Sequence, residues 1–214
     1  MTTKTSNILK SYYQSLYKEY GDSHKSVQHV SKESQNVRFA IFLDMISSSS
    51  RVIDLGCGLG DMLLYLRKNG FTGEYLGYDF VPEFIDVASA KFSSDAKAQF
   101  EVFDIYKDEI AQGYDHVLIS GVFNNKMTDN MGFLTLTLQK SIRQCEKSVV
   151  FNALSTFVEF KNEALFYVSP LELFELCKTT MTPFVSLKHD YVTKPGGYPY
   201  EFTMQLSKSE TTCY

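Results

Sequence analysis

The sequence predicts an α/β protein, and three observations carry that prediction. Short apolar runs alternate with segments of helical periodicity from Arg51 to Ala153. Three glycines, Gly56, Gly58 and Gly60, stand between the first of those runs and the helix after it. Two last apolar runs, 184–192 and 200–207, flank Lys194-Pro195-Gly196-Gly197, a connection able to close an antiparallel hairpin. Such alternation builds βαβ units, hence a parallel sheet whose right-handed crossovers put helices on both faces.

Each element follows from a local signal. Residues 6–20 are a predicted helix: Leu9, Tyr13, Leu16 and Tyr20 share a face, Tyr12 and Tyr17 widen it, and Gly21 ends it. A loop over 22–30 carries His24, Gln28 and His29, and a second helix is expected over about 33–47. These form an N-terminal helical cover, residues 1–50, on a core of residues 51–214. The core opens with a strand over 51–55, the glycine turn, and a helix over about 61–69 stopped by Gly70. A strand over 73–79 precedes a helix from Pro82, a residue suited to the first helical position, to about Phe92. Strands over 100–104, 115–120 and 148–153, with a helix over 130–145, complete the alternation. A helix over 170–179 leads into the two closing strands.

Composition narrows the function. The 214 residues are 44% hydrophobic and 21% charged, enough for one packed domain and too apolar for a disordered chain. The net charge of −4 weighs against a nucleic-acid partner. No apolar run reaches the roughly 18–20 residues of a membrane span, and MTTKTSNILK lacks a signal-peptide stretch. A cytoplasmic protein with no membrane partner is expected, as monomer or homodimer. Cys57, Cys145, Cys177 and Cys213 are isolated, which fits a reducing compartment. His24, His29, His116 and His189 have no ligand spacing, so no metal is expected.

The chemistry concentrates at Asp54-Leu55-Gly56-Cys57-Gly58-Leu59-Gly60-Asp61. Glycines after a strand let backbone approach a ligand, and the helix start offers free N–H groups. The spacing is not the dinucleotide G-x-G-x-x-G, and Asp61 would repel a pyrophosphate. With Asp54 it suits a ligand bearing positive charge or hydroxyl donors. Asp79, at the end of the second strand with Phe80 beside it, is placed to accept from a ribose diol, or else to cap the helix at Pro82. Asp104 can accept from an adenine amino group while Ile105 packs on the ring, or is an ordinary surface acid. A nucleoside with a cationic far end describes S-adenosylmethionine.

Val52 to Gly60 resembles motif I of the class I S-adenosylmethionine-dependent methyltransferases. Asp79 and Asp104-Ile105 match that family's ribose and adenine contacts, and Tyr114 to Gly121 resembles its motif IV strand. The resemblance implies a Rossmann-like seven-stranded sheet of order 3-2-1-4-5-7-6 with the seventh strand antiparallel. It also implies S-adenosylmethionine as cofactor and S-adenosylhomocysteine as product. Gly21-Asp22-Ser23, Ser34-Gln35, Arg38-Phe39, Ser120 to Asn124, Phe151-Asn152, His189-Asp190-Tyr191 and Glu201-Phe202-Thr203 resemble a group of small bacterial members. Val30 departs from that group, where a Trp is expected. The cofactor residues expected on these grounds are Gln35, Arg38, Asp54, Gly56, Cys57, Gly58, Gly60, Asp61, Asp79, Phe80, Asp104, Ile105, Ser120 and Gly121.

Arg38 and Gln35 share a helix face, so Arg38 is a fork for the cofactor carboxylate or a surface ion-pair partner. The acceptor, a small molecule methylated on oxygen or nitrogen, is expected beyond Ser120–Asn124. Asn124 can orient it, Tyr13 and Tyr17 can line its pocket, and His24 or Tyr191 can act as base. The tyrosine stripe and the His189–Tyr191 segment also read as plain packing. The strand-four end lacks the Asn/Asp-Pro-Pro-aromatic signature of base-amino methyltransferases. A protein acceptor, or a cofactor-binding regulatory module without turnover, remains the alternative.

Overall fold

The computed structural model describes residues 3–27 and 31–209, with side chains from residue 9 onward except His24. Gln28, His29, Val30 and Cys213 lie outside the described residues, as does the His24 side chain. Helix α1 (Thr3–Tyr20), a short 3-10 turn (His24–Val27) and α2 (Lys32–Asp44) precede the sheet. Then come β1 (Val52–Leu55), α3 (Asp61–Lys68), β2 (Tyr75–Asp79), α4 (Pro82–Lys91), β3 (Ala98–Val102) and β4 (His116–Ile119). The chain continues through α5 (Asn130–Gln144), β5 (Ser148–Ser155), β6 (Tyr167–Val168), α6 (Pro170–Thr180), β7 (Phe184–Lys188) and β8 (Glu201–Ser207).

The sheet order is β3-β2-β1-β4-β5-β8-β7, with β6 added beside the end of β5. β1 to β5 pair in parallel, while β8 runs antiparallel to β5 and β7. This is the Rossmann-like order expected, with one short strand more. Every residue of β1, β2, β4 and β5 is buried, as central parallel strands covered on both faces require.

Strand alternation sorts the core into two layers. Ile53, Val117, Ile119, Val149 and Phe151 face α5 and α6 through Leu134, Leu138 and Leu173. Val52, Leu118 and Val150 face α2 and α3 through Phe39, Phe42, Leu63 and Leu66. Each such side chain contributes about 1.5–3 kcal/mol of apolar burial. Caps fix where helices begin: Ser31 accepts from Ser34 N at 3.2 Å, and Asp129 from Gly132 N at 2.8 Å.

The last strands differ from expectation. β7 stops at Lys188, so His189, Asp190 and Tyr191 leave the sheet instead of extending it to Val192. His189 turns to the Pro199 carbonyl, at 3.1 Å, and Tyr191 to Thr203, at 2.9 Å. The connection to β8 is a twelve-residue loop over 189–200, not a tight hairpin. β3 ends at Val102, which puts Asp104 in the turn after the strand.

Candidate functional site

A cavity of about 350 Å³ opens at the carboxyl ends of β1, β2 and β4, where open α/β sheets bind ligands. Its floor is the glycine turn. Gly56, Gly58 and Gly60 hold φ of +85°, +53° and +79°, a region that side-chain-bearing residues enter at a cost. A Cβ on Gly56 would overlap Val122 of the turn after β4, and one on Gly58 would come within 2.9 Å of Val27 Cγ1. The cover therefore presses directly on the turn.

Carboxylates ring the floor. Asp79 accepts from Gly58 N at 3.0 Å and from Val81 N at 2.9 Å, so it ties the turn to the start of α4. It is not the cap of α4; that position is Val81. Burial lifts its carboxyl to about 6 even against those backbone donors. Asp54 accepts the hydroxyl of Tyr75 from the neighbouring strand, and burial lifts it to about 7. Tyr75 was invisible in the sequence because the pairing of β1 with β2 alone brings it beside Asp54. Asp61 opens α3 with Lys91 at 3.9 Å. Asp104 accepts from Tyr106 N at 3.1 Å and pairs with Lys107 at 2.8 Å.

The far wall comes from distant segments. Gly121 donates its N–H to Asn152 Oδ1 at 2.8 Å, and Asn125 donates to the Tyr13 hydroxyl at 2.7 Å. Asn125 also bridges to Leu165. Arg38 gives Nε to Glu201 at 2.9 Å and Nη2 to it at 2.7 Å, with both side chains nearly sealed. Three oxygens of wall residues are buried without a hydrogen-bond partner: Gln35 Oε1, Ser120 Oγ and Asn124 Oδ1. A buried polar atom left unpaired costs about 1–3 kcal/mol, and all three belong to residues that border this cavity.

Residues 46–180 match the family of methyltransferase domains. The chain belongs to that family. The methyltransferase is 32% identical, over 162 residues, to Rv1506c of Mycobacterium tuberculosis, which carries a provisional methyltransferase name. That alignment covers 73% of this chain and 92% of Rv1506c. Its fold is also that of magnesium protoporphyrin IX methyltransferase from Synechocystis PCC 6803 with bound SAH, at TM-score 0.70 and 14% identity, over 95% of this chain and 100% of that one. A complex of DhpI with SAM and HEP aligns at TM-score 0.68 and 15% identity, over 96% and 98%.

Most sequence-predicted residues of the methyltransferase line this one cavity: Tyr13, Gln35, Arg38, Asp54, Gly56, Cys57, Gly58, Asp61, Asp79, Phe80, Asp104, Ile105, Ser120, Gly121 and Asn124. Three do not. Gly60 is the cap of α3, where a Cβ would meet Phe92 at 2.8 Å, so it serves packing. Tyr17 stands edge-on to Phe84, with centroids 5.9 Å apart, and is part of the cover's packing. Tyr191 hydrogen-bonds Thr203 and Glu201, beneath the wall and not at its surface. Arg38 differs in kind. It is neither a surface ion-pair residue nor an open fork, because Glu201, 1% exposed, needs a cation and occupies its Nε–Nη2 edge. Cys57 is sealed, and burial pushes its thiol well above the usual range, so it is no nucleophile.

Sequence reasoning missed Tyr75, Asn125, Asn152, Leu165 and Glu201. Only the resemblance carried by Phe151-Asn152 and Glu201-Phe202-Thr203 hinted at two of them. Among the described residues no cluster of three or more His, Cys, Asp or Glu is placed to hold a metal, and no helix is long and apolar enough to cross a membrane.

Proposed function

We propose that the protein is an S-adenosylmethionine-dependent methyltransferase that methylates an oxygen or nitrogen of a small molecule. The observation that carries this reading is the single cavity that joins the glycine turn, four carboxylates and three unpartnered oxygens. The residues fit that cofactor. Asp79 would accept from the ribose hydroxyls with the lone pairs its backbone donors leave open. Asp104 and Ile105 would hold the base. The acidic floor at Asp54 and Asp61 would attract the cationic end, while Gln35, Arg38, Ser120 and Gly121 would border the amino-acid moiety. When bound, the cofactor supplies an already activated methyl on a cationic sulfur.

The chain's own part is positioning, since an activated donor leaves mainly orientation to be supplied. Gly121, held by Asn152, presents bare backbone where a Cβ would crowd the acceptor. Asn124 orients the acceptor, and Tyr13 closes the pocket from α1 through Asn125. Residues 1–50 act as cover and 51–214 as core. A cover this tightly joined to the rim suits a small acceptor better than a protein.

Calorimetric titration tests the reading. Micromolar binding of S-adenosylmethionine and S-adenosylhomocysteine, with none of NAD, is expected. Binding of NAD alone, or of no nucleoside ligand, overturns it.

A further inference from the structure

Resting on that reading, we infer that Asn152, behind the cavity wall, is a positioning residue: its amide sets the turn after β4 against the amino-acid end of the cofactor, and Glu201 fixes which way that amide faces. Pairing of β4 with β5 ends at Ile119 and Phe151. One residue further the Asn152 side chain takes over. Its Oδ1 accepts from Gly121 N at 2.8 Å, where the chain bends away at φ +75°. Its backbone meanwhile pairs with Thr203 of β8. The turn held in this way carries Ser120, Gly121 and Asn124, which all line the cavity. Ser120 Oγ and Asn124 Oδ1 are buried without a hydrogen-bond partner, so where this turn sits decides where two polar atoms meet an occupant.

Strand alternation turns Asn152 and Glu201 to the same face as Val150, toward α2. Both are 1% exposed. An amide and a carboxylate in that layer cost desolvation that apolar side chains of like volume would not. What they provide is direction. Glu201 holds Arg38 through Nε at 2.9 Å and Nη2 at 2.7 Å, and Tyr191 donates to Glu201 Oε1 at 3.3 Å. Asn152 Nδ2 faces that same Oε1 at 3.5 Å.

An amide has a donor end and an acceptor end, and one orientation satisfies both neighbours: oxygen to the Gly121 N–H, nitrogen to the carboxylate. Turned over, it would set N–H against N–H and oxygen against a carboxylate. Residues of α2, β8, β5 and the turn after β4 are thus joined in one line that ends at a backbone amide of the cavity wall. In the sheet, β2 and β4 flank β1, so the line ends about 10 Å from the strand that carries Asp79. Asp79 and Gly121 therefore act on different parts of one cofactor.

Calorimetry on the full chain tests this with two probes, S-adenosylhomocysteine and adenosine, which lacks the amino-acid end. In Asn152→Leu the Gly121 N–H loses its acceptor, and S-adenosylhomocysteine affinity should fall about tenfold or more while adenosine affinity stays within about threefold. Asn152→Ala, which cannot overfill the layer, carries the same expectation. Damage to the fold as a whole would weaken both probes together. Asn152→Asp is the conservative rescue. At about pH 5.5 a carboxyl beside Glu201 keeps its proton and offers the acceptor and the donor of the amide. Its S-adenosylhomocysteine affinity there should lie within about threefold of wild type at the same pH. Unchanged S-adenosylhomocysteine affinity in Asn152→Leu and Asn152→Ala, an equal loss of both probes, or Asn152→Asp as weak as Asn152→Leu overturns the inference. Failure of wild type to bind S-adenosylhomocysteine overturns the cofactor reading and this inference with it, so the two failures are distinct.

Discussion

The two ends of the cavity are built differently. At the β1–β2 end the groups lie within one stretch, Asp54 to Asp79, and are held by backbone: Gly58 N and Val81 N on Asp79, and the φ of three glycines. At the far end the wall is assembled across the whole chain. Arg38 meets Glu201 at a separation of 163 residues, and Tyr13 meets Asn125 at 112. The first end is fixed by backbone hydrogen bonds and glycine φ. The second depends on side-chain pairs and can change with few substitutions, which is how one fold serves many acceptors.

The largest expected effect strikes the far end. Glu201→Ala strands the Arg38 guanidinium in a sealed layer and should cost about 3–5 kcal/mol in denaturant unfolding. Gly56→Ala strikes the near end. A side chain at φ +85° costs about 1–2 kcal/mol and displaces Val122, so nucleoside binding should fall by more than tenfold in calorimetry.

Proton linkage sharpens the contrast further. Asp54 and Asp79 are both lifted from 3.8, to about 7 and about 6. The folded protein therefore holds protons that the unfolded chain has released, and ligand-free stability falls as pH rises between about 4 and about 7. A cationic ligand needs the ionised carboxylates, so its affinity rises through the same window. Asp54→Asn should raise ligand-free stability at pH 8 by on the order of 1–3 kcal/mol and flatten the pH profile of binding. The smallest effect is Tyr13→Phe, which removes the hydroxyl that accepts from Asn125 and should cost about 1 kcal/mol in thermal unfolding.

That same contrast decides what could be read from the sequence. The alternation, the glycine turn, Asp79 and Asp104 are short-range patterns, and they led to the fold and to the near end. Tyr75 was missed because only strand pairing brings it to Asp54. Glu201 was seen as part of a motif but not as the partner that takes one edge of Arg38. β6 is two residues long and has no periodicity to detect, yet it adds a strand beside the end of β5. Tyr17 and Tyr13 have the same spacing signal, and only the packing of α1 on Phe80 and Phe84 separates ring packing from cavity lining. Tyr191 followed from a strand assumed to run on to Val192, whereas pairing ends at Lys188.

The most direct test of a nucleoside end separate from an acceptor end is one affinity comparison. S-adenosylhomocysteine dissociation constants would be measured for wild type, Asp79→Ala and Asn124→Leu. The predicted result is a loss of at least tenfold for Asp79→Ala, as removal of charged hydrogen bonds implies, and a change below threefold for Asn124→Leu. Unchanged binding in Asp79→Ala, or an equal loss in both variants, would contradict the division.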